Sequence, residues 1–201
     1  MSGEDKNMEL EKTDAELIKA FKEGVRGALD LLIARYQGRL YAYLARLSGD
    51  RGAAEDLTQE VFLKVLKKLD SYGEREKFSA WLFTLAHHAA MDRFRSDSRR
   101  REESLDAAGE DDLPLAGTLA SPEPGPEGAL EAEERAGAIR IAFDCLSPEQ
   151  REVFLMRHYS ELSFREIAGI LGVPIGTVLA RMSRAVARMR RAIKPGPAAF
   201  L

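Results

Sequence analysis

The stretch from Ser163 to Arg184, S-F-R-E-I-A-G-I-L-G-V-P-I-G-T-V-L-A-R-M-S-R, constrains this chain more than any other. Ser163 and Glu166 have the spacing of a capping box, whose reciprocal side-chain and backbone bonds start a helix. Ile167, Ala168, Ile170 and Leu171 give that helix an apolar face. Gly172 suits the left-handed residue that ends it. Pro174 suits the first turn of a second helix, where its missing N–H does no harm. Two short helices joined by a tight glycine-containing turn form a helix-turn-helix, whose second helix usually lies in a DNA major groove.

The second helix has the matching pattern. Val178, Met182, Ala185, Met189 and Ile193 recur at helical spacing and are expected to face a core. Thr177, Arg181, Arg184, Arg188 and Arg191 follow the same period on another stripe. From Leu162 to Lys194 seven basic residues face one acid, a charge of +6. That is the electrostatic footprint of a surface that meets phosphates. A solvated basic face explains a lone basic helix equally well, but capping box, turn and stripe together favour DNA.

The net charge of −3 hides an asymmetry. Between Glu102 and Arg135 lie eleven acids and one base, which puts −10 on this segment and leaves +7 on the remainder. Pro114, Pro122, Pro124 and Pro126 interrupt it, and it holds few apolar residues to bury. It reads as a flexible acidic linker. From Glu102 to Leu130 it would reach up to ~95 Å when extended.

Upstream of the linker the period is helical throughout. Thr13 and Glu16 form a capping box for a first helix bearing Leu17, Ile18 and Phe21, which Gly24 and Gly27 break. Leu29 to Leu47 continue the pattern, and Gly49 stops it. A third helix from about Arg51 to Asp70 is expected to bury Leu57, Val61, Phe62, Val65, Leu66 and Leu69. A fourth starts near Phe78, buries Trp81, Leu82, Leu85 and Ala89, and runs out into arginines. After the linker come a helix near Glu131–Leu146 and a capped restart at Ser147-Pro148-Glu149-Gln150.

The fold class is therefore all-α, with two helical domains joined by the acidic linker. The expected boundaries are a disordered 1–12, a first domain 13–101, the linker 102–135, a helix-turn-helix domain 136–194 and a tail 195–201. No apolar run is long enough for a membrane span and no secretory signal is present, so a cytoplasmic protein is expected. The single cysteine, Cys145, excludes an internal disulfide and a cysteine metal cluster, and reads as a buried, inert thiol. Adjacent His87 and His88 diverge by about 100° on a helix, which argues against a metal pair. No cofactor motif, phosphate loop or nucleophile elbow occurs, so an enzyme is not expected.

With both halves in view the chain resembles the extracytoplasmic-function sigma factors of bacterial RNA polymerase. Ala54-Glu55-Asp56-Leu57-Thr58-Gln59-Glu60-Val61-Phe62 is similar to the polymerase-binding helix of that family. Phe78-Ser79-Ala80-Trp81-Leu82-Phe83-Thr84-Leu85-Ala86, continuing to Asp92-Arg93, is similar to its −10 helix. Leu146-Ser147-Pro148-Glu149-Gln150-Arg151 with the helix-turn-helix is similar to its region 4. The resemblance implies a region 2 helical bundle and a region 4 helix-turn-helix, with core polymerase (β′ clamp helices and β flap) and promoter DNA as partners. Whether an anti-sigma factor also binds stays open.

The resemblance also implies roles. Asp56, Gln59 and Glu60 would dock on the clamp helices. Tyr72 would wall a pocket for a flipped −10 base, with Lys77 and His88 near it and Arg93, Arg95 and Arg99 on phosphates. Thr177, Arg181, Arg184 and Arg188 would bind the −35 element. Two positions depart from the family: His87-His88 stands where Arg-Asn is usual, and Leu179-Ala180 where a basic residue and Ser or Thr are common. The latter pair offers no hydrogen bond to a base edge, although either residue can touch a thymine methyl. A free-standing activator or repressor is the competing reading, but it has no need of the Ala54–Phe62 and Trp81–Arg101 segments.

Overall fold

A computed structural model of the chain describes residues 12–73, 77–105 and 142–193. Among the described residues every regular element is helical. The segment 1–11, positions 74–76 of the loop before the fourth helix, the linker beyond Leu105, the helix expected before residue 142 and the residues from 194 onward lie outside them. The chain divides into two units, Met1–Leu115 and Ala116–Leu201.

The first unit contains α1 (Asp14–Lys22), α2 (Gly27–Ser48), α3 (Arg51–Lys68) and α4 (Phe78–Leu105). Thr13 and Glu16 cap α1 reciprocally. Gly49 ends α2 at φ +72°, a conformation that a side chain would strain. Asp50 then accepts the Ala53 N–H and starts α3. Gly27 does not break the chain as expected: it is the first residue of α2, and Gly24, at φ +96°, makes the turn alone. A 3₁₀ turn, Leu69–Ser71, closes α3.

The core of this unit joins Leu17 and Ile18 of α1 with Leu32, Leu40, Tyr43 and Leu44 of α2, Leu57, Val61 and Val65 of α3, and Leu82 and Phe83 of α4. Each such side chain stabilises by roughly 1.5–3 kcal/mol on burial. Tyr43 meets Phe83 edge-on at 5.4 Å between centroids. Along α4 the buried track continues through Ala86, Ala89 and Ala90. Small side chains there let α4 lie close to its neighbours. Three expectations are overturned, the first at Phe62 of α3, which is only half-buried. Leu66 is 44% exposed rather than inside. Trp81 is only half-buried, because Leu82 and Phe83 occupy the interior beside it.

In the second unit, residues 142–144 are helical and lead into α5 (Pro148–Ser160), α6 (Phe164–Leu171) and α7 (Ile175–Ile193). Ser147 with Gln150 and Ser163 with Glu166 are both complete capping boxes. Gly172 is left-handed at φ +64°, and the Val173 N–H reaches back to the Ala168 carbonyl in the Schellman pattern. Val153, Leu155, Met156, Leu162, Ile167, Val178 and Ala185 form the core.

Three expectations fail here. Pro174 precedes α7 instead of lying in its first turn, and its carbonyl accepts the Thr177 and Val178 N–H groups. Ile193 is 50% exposed, since the core ends before the last turn of α7. Cys145 is exposed, because it sits in the turn between the 142–144 helix and α5, where Ala142 and Leu146 supply the buried side chains.

Candidate nucleic-acid interface

α6 and α7 meet at 108°, within the range of about 90–120° usual for a helix-turn-helix. Val178 and Ala185 hold α7 to the unit, with Met182 and Met189 half-buried beside them. The remaining surface of α7 carries three parallel tracks, given about 100° of turn per residue. Thr177, Arg181, Arg184 and Arg188 share one flank, as the sequence spacing predicts. Gly176, Ala180, Ser183 and Ala187 run down the middle of the outward face. Ile175 and Leu179, each 45% exposed, form the opposite edge.

The four expected residues on the basic flank are not equivalent. Arg184 and Arg188 are exposed, whereas Thr177 and Arg181 are half-buried. The Arg181 guanidinium adds to the field around Glu149, whose carboxyl is held below its usual range chiefly by the Ser147 hydroxyl, which donates to it at 2.8 Å. Arg188 donates to the Cys145 carbonyl at 3.2 Å and so ties α7 to the turn before α5. Arg184, Arg190 and Arg191 are the exposed cations nearest the outward face.

In the first unit, α4 presents a second line of candidates. Trp81, His88 and Arg95 are seven residues apart, so about two turns separate successive members on one face. Arg99 extends the line by one further turn. His88, Arg95 and Arg99 are exposed, and the half-buried Trp81 stands at the head of the stripe. Its place was legible in that seven-residue spacing, although the apolar pattern alone assigns it to the core. Arg95 pairs with Asp92 at 3.2 Å, a surface contact that yields easily.

Arg93 is not on this face. It turns about 200° away from Arg95, toward α3, and pairs with Asp97 at 3.2 Å and Asp56 at 3.9 Å.

Tyr72 is 8% exposed, so its ring is a built-in wall rather than a free platform. It packs against Trp81 at 5.0 Å and Phe78 at 6.0 Å, and Phe78 meets Tyr36 at 5.3 Å. The ammonium of Lys22 donates to the Tyr72 carbonyl at 2.9 Å and anchors the loop to α1. A cavity of about 290 Å³ opens between this loop and α1, lined by Thr13, Asp14, Ile18, Tyr72, Lys77 and Phe78. Its acidic group is already engaged: Asp14 pairs with Arg35 at 2.6 Å and accepts the Tyr36 hydroxyl. Burial, reinforced by that carboxylate, pushes the Tyr36 phenol above its usual range, so it remains a hydrogen-bond donor.

On α3, Asp56, Gln59 and Glu60 are all exposed and lie within an arc of about 100°. Leu63 falls in the middle of that arc, one to two turns further on, and is 56% exposed. Sequence periodicity alone passes over it. Leu66 extends the same outer face. Glu60 pairs with Lys64 at 2.6 Å within the helix. No group of three or more His, Cys, Asp or Glu side chains suited to a metal occurs among the described residues. No single described helix is long and apolar enough to cross a membrane.

Known proteins are similar to this chain in sequence and fold. The family description Sigma-70 region 2 matches residues 32–100, and Sigma-70, region 4 matches residues 137–189. The ECF RNA polymerase sigma factor EcfG of Rhodopseudomonas palustris is 36% identical over 150 residues, which is 75% of this chain and 76% of that protein. The ECF RNA polymerase sigma factor SigW of Bacillus subtilis is 29% identical over 177 residues, 88% of this chain and 95% of that protein. The sigma factor RpoE of Bartonella quintana, solved in complex with the anti-sigma factor NepR, superposes with a TM-score of 0.64 at 27% identity, covering 84% of this chain and 98% of that one. The chain therefore belongs to the extracytoplasmic-function sigma factors, the RNA polymerase subunits that direct transcription initiation.

Proposed function

We propose that this sigma factor docks on the β′ clamp helices of core polymerase through the outer face of α3, with Asp56, Gln59, Glu60 and Leu63 as the main contacts. The −10 strand runs along α4, where Trp81 supplies a ring for an unstacked base, His88 a hydrogen-bonding group, and Arg95 and Arg99 positive charge for phosphates. The cavity beside Tyr72 and Lys77 receives a base turned out of the duplex. In the second unit α7 lies in the −35 major groove, while the β flap holds that unit on the polymerase. The work divides at the sequence boundaries 13–101 and 136–194, with 102–135 as tether, and catalysis stays with the polymerase.

The observation that carries this reading is the separation of two chemistries on the first unit. Acids, an amide and an exposed leucine share one face of α3, and an aromatic ring, an imidazole and arginines share one face of α4. The first suits a basic protein partner, the second a single strand. An anti-sigma factor is a further proposed partner, since Leu63 and Leu66 offer an apolar surface for which such a protein would compete with polymerase. The test is transcription in vitro with purified core polymerase and a promoter library. Defined starts that depend on this chain support the proposal, and failure to bind core polymerase at micromolar concentration overturns it.

A further inference from the structure

We propose that Ile175 and Leu179 read the −35 element through the 5-methyl groups of thymine. The inference rests on the reading of α7 as the −35 helix, and names the chemical group it recognises there.

Both side chains are 45% exposed, and they stand one helical turn apart on the same edge of α7. They are large apolar groups, and apart from Ile193 in the last turn the other exposed residues of α7 are small or basic. Two features identify what covers them. The first is charge: Arg184, Arg190 and Arg191 are exposed on the same helix, so the surface around the apolar edge suits a polyanion. The second is the middle track. Gly176, Ala180, Ser183 and Ala187 place almost no bulk between the helix axis and a groove floor, so the backbone can sink until both edges touch the groove walls.

At that depth the arginine edge meets phosphates and the apolar edge meets bases. Among the four bases only thymine offers an apolar group in the major groove. The others present donors and acceptors that Ile175 and Leu179 would desolvate without replacing a hydrogen bond. Four residues along the helix advance about 6 Å, and base pairs are spaced about 3.4 Å apart. The two methyls therefore belong to thymines about two base-pair steps apart, on either strand.

The experiment uses the full chain in holoenzyme with core polymerase. Duplexes are first selected from a library randomised at −35, and each thymine of the selected element is then replaced by deoxyuridine, which removes only the methyl. Each replacement opposite Ile175 or Leu179 is expected to weaken binding by about fourfold, the worth of one buried carbon. Leu179→Ala should abolish the uracil penalty at one position and Ile175→Ala at the other. Circular dichroism and thermal melting, unchanged for these exposed positions, exclude a folding defect. Equal binding of thymine and uracil duplexes overturns the inference while leaving α7 as the −35 helix, as does a uracil penalty that persists in both variants. A holoenzyme that initiates but selects no −35 sequence at all overturns the −35 reading itself, and this inference with it.

Discussion

Arg93 of α4 holds its guanidinium 3.9 Å from the carboxylate of Asp56 on α3, so a residue expected on promoter phosphates faces one expected on polymerase. Asp97 pairs with Nε of the same guanidinium at 3.2 Å. Both pairs are partly exposed, and each contributes at most about 1 kcal/mol. Their consequence is orientation: Arg93 is turned away from the stripe of His88, Arg95 and Arg99, and Asp56 is steadied on the outer face of α3. Arg93→Ala should leave the salt dependence of −10 strand binding by holoenzyme unchanged. Arg95→Ala and Arg99→Ala should each lower that slope by about 0.7, the value for one phosphate on a single strand. A drop of the same size for Arg93→Ala would return it to the DNA set.

Leu63 gives the polymerase-docking proposal its sharpest test. It is 56% exposed and sits among Asp56, Gln59 and Glu60, away from the core. Leu63→Asp should weaken core polymerase binding by tenfold or more with helix content and melting temperature unchanged, and Asp56→Arg should do the same. Unchanged affinity in titrations of fluorescent core enzyme with both variants would place the docking surface elsewhere.

The aromatic cluster separates architecture from strand binding. Tyr72 is buried against Phe78 and Trp81, so Tyr72→Ala should destabilise the first unit by about 3–5 kcal/mol, as for other large-to-small aromatic changes. Trp81, half-exposed, should lose less stability on change to Ala but impair opening of a duplex promoter, and His88→Ala should behave likewise. On a template with a pre-melted bubble both defects should shrink. Equal loss on both templates would show that these residues do not take part in opening.

Local signals made most of this architecture legible. The capping boxes at Thr13, Ser147 and Ser163 each lie within four residues, so no tertiary information is needed to see them. Gly49 and Gly172 stop their helices for the same local reason. What periodicity could not give was the width of each buried face. On α4 the interior runs through Leu82, Ala86, Ala89 and Ala90, a track of small side chains that leads straight to Arg93. Ranking residues by bulk puts Trp81 inside and leaves Arg93 on the surface with the other arginines. Leu66 and Leu63 show the converse: α3 has more large apolar residues than its core face needs, and the surplus is exposed. The Cys145 thiol departs from its expected burial because a turn, not a helix, carries it.

The basic flank of α7 combines two roles that one pair of substitutions can divide. Arg184 is exposed on the outward side, and phosphate contact is its proposed task. Arg188 donates to the Cys145 carbonyl at 3.2 Å and so also fastens α7 to the turn that precedes α5. Arg184→Ala should reduce holoenzyme binding almost uniformly across −35 variants, lower the salt slope by about 0.9, and leave the melting temperature of the free chain alone. Arg188→Ala should lower the melting temperature as well, because a hydrogen bond worth about 0.5–1.5 kcal/mol is lost. Measuring both variants by thermal melting and by binding at two salt concentrations separates the roles. If Arg184→Ala instead changes which −35 sequences are selected, its guanidinium reads a base edge, and the phosphate assignment on this flank is wrong.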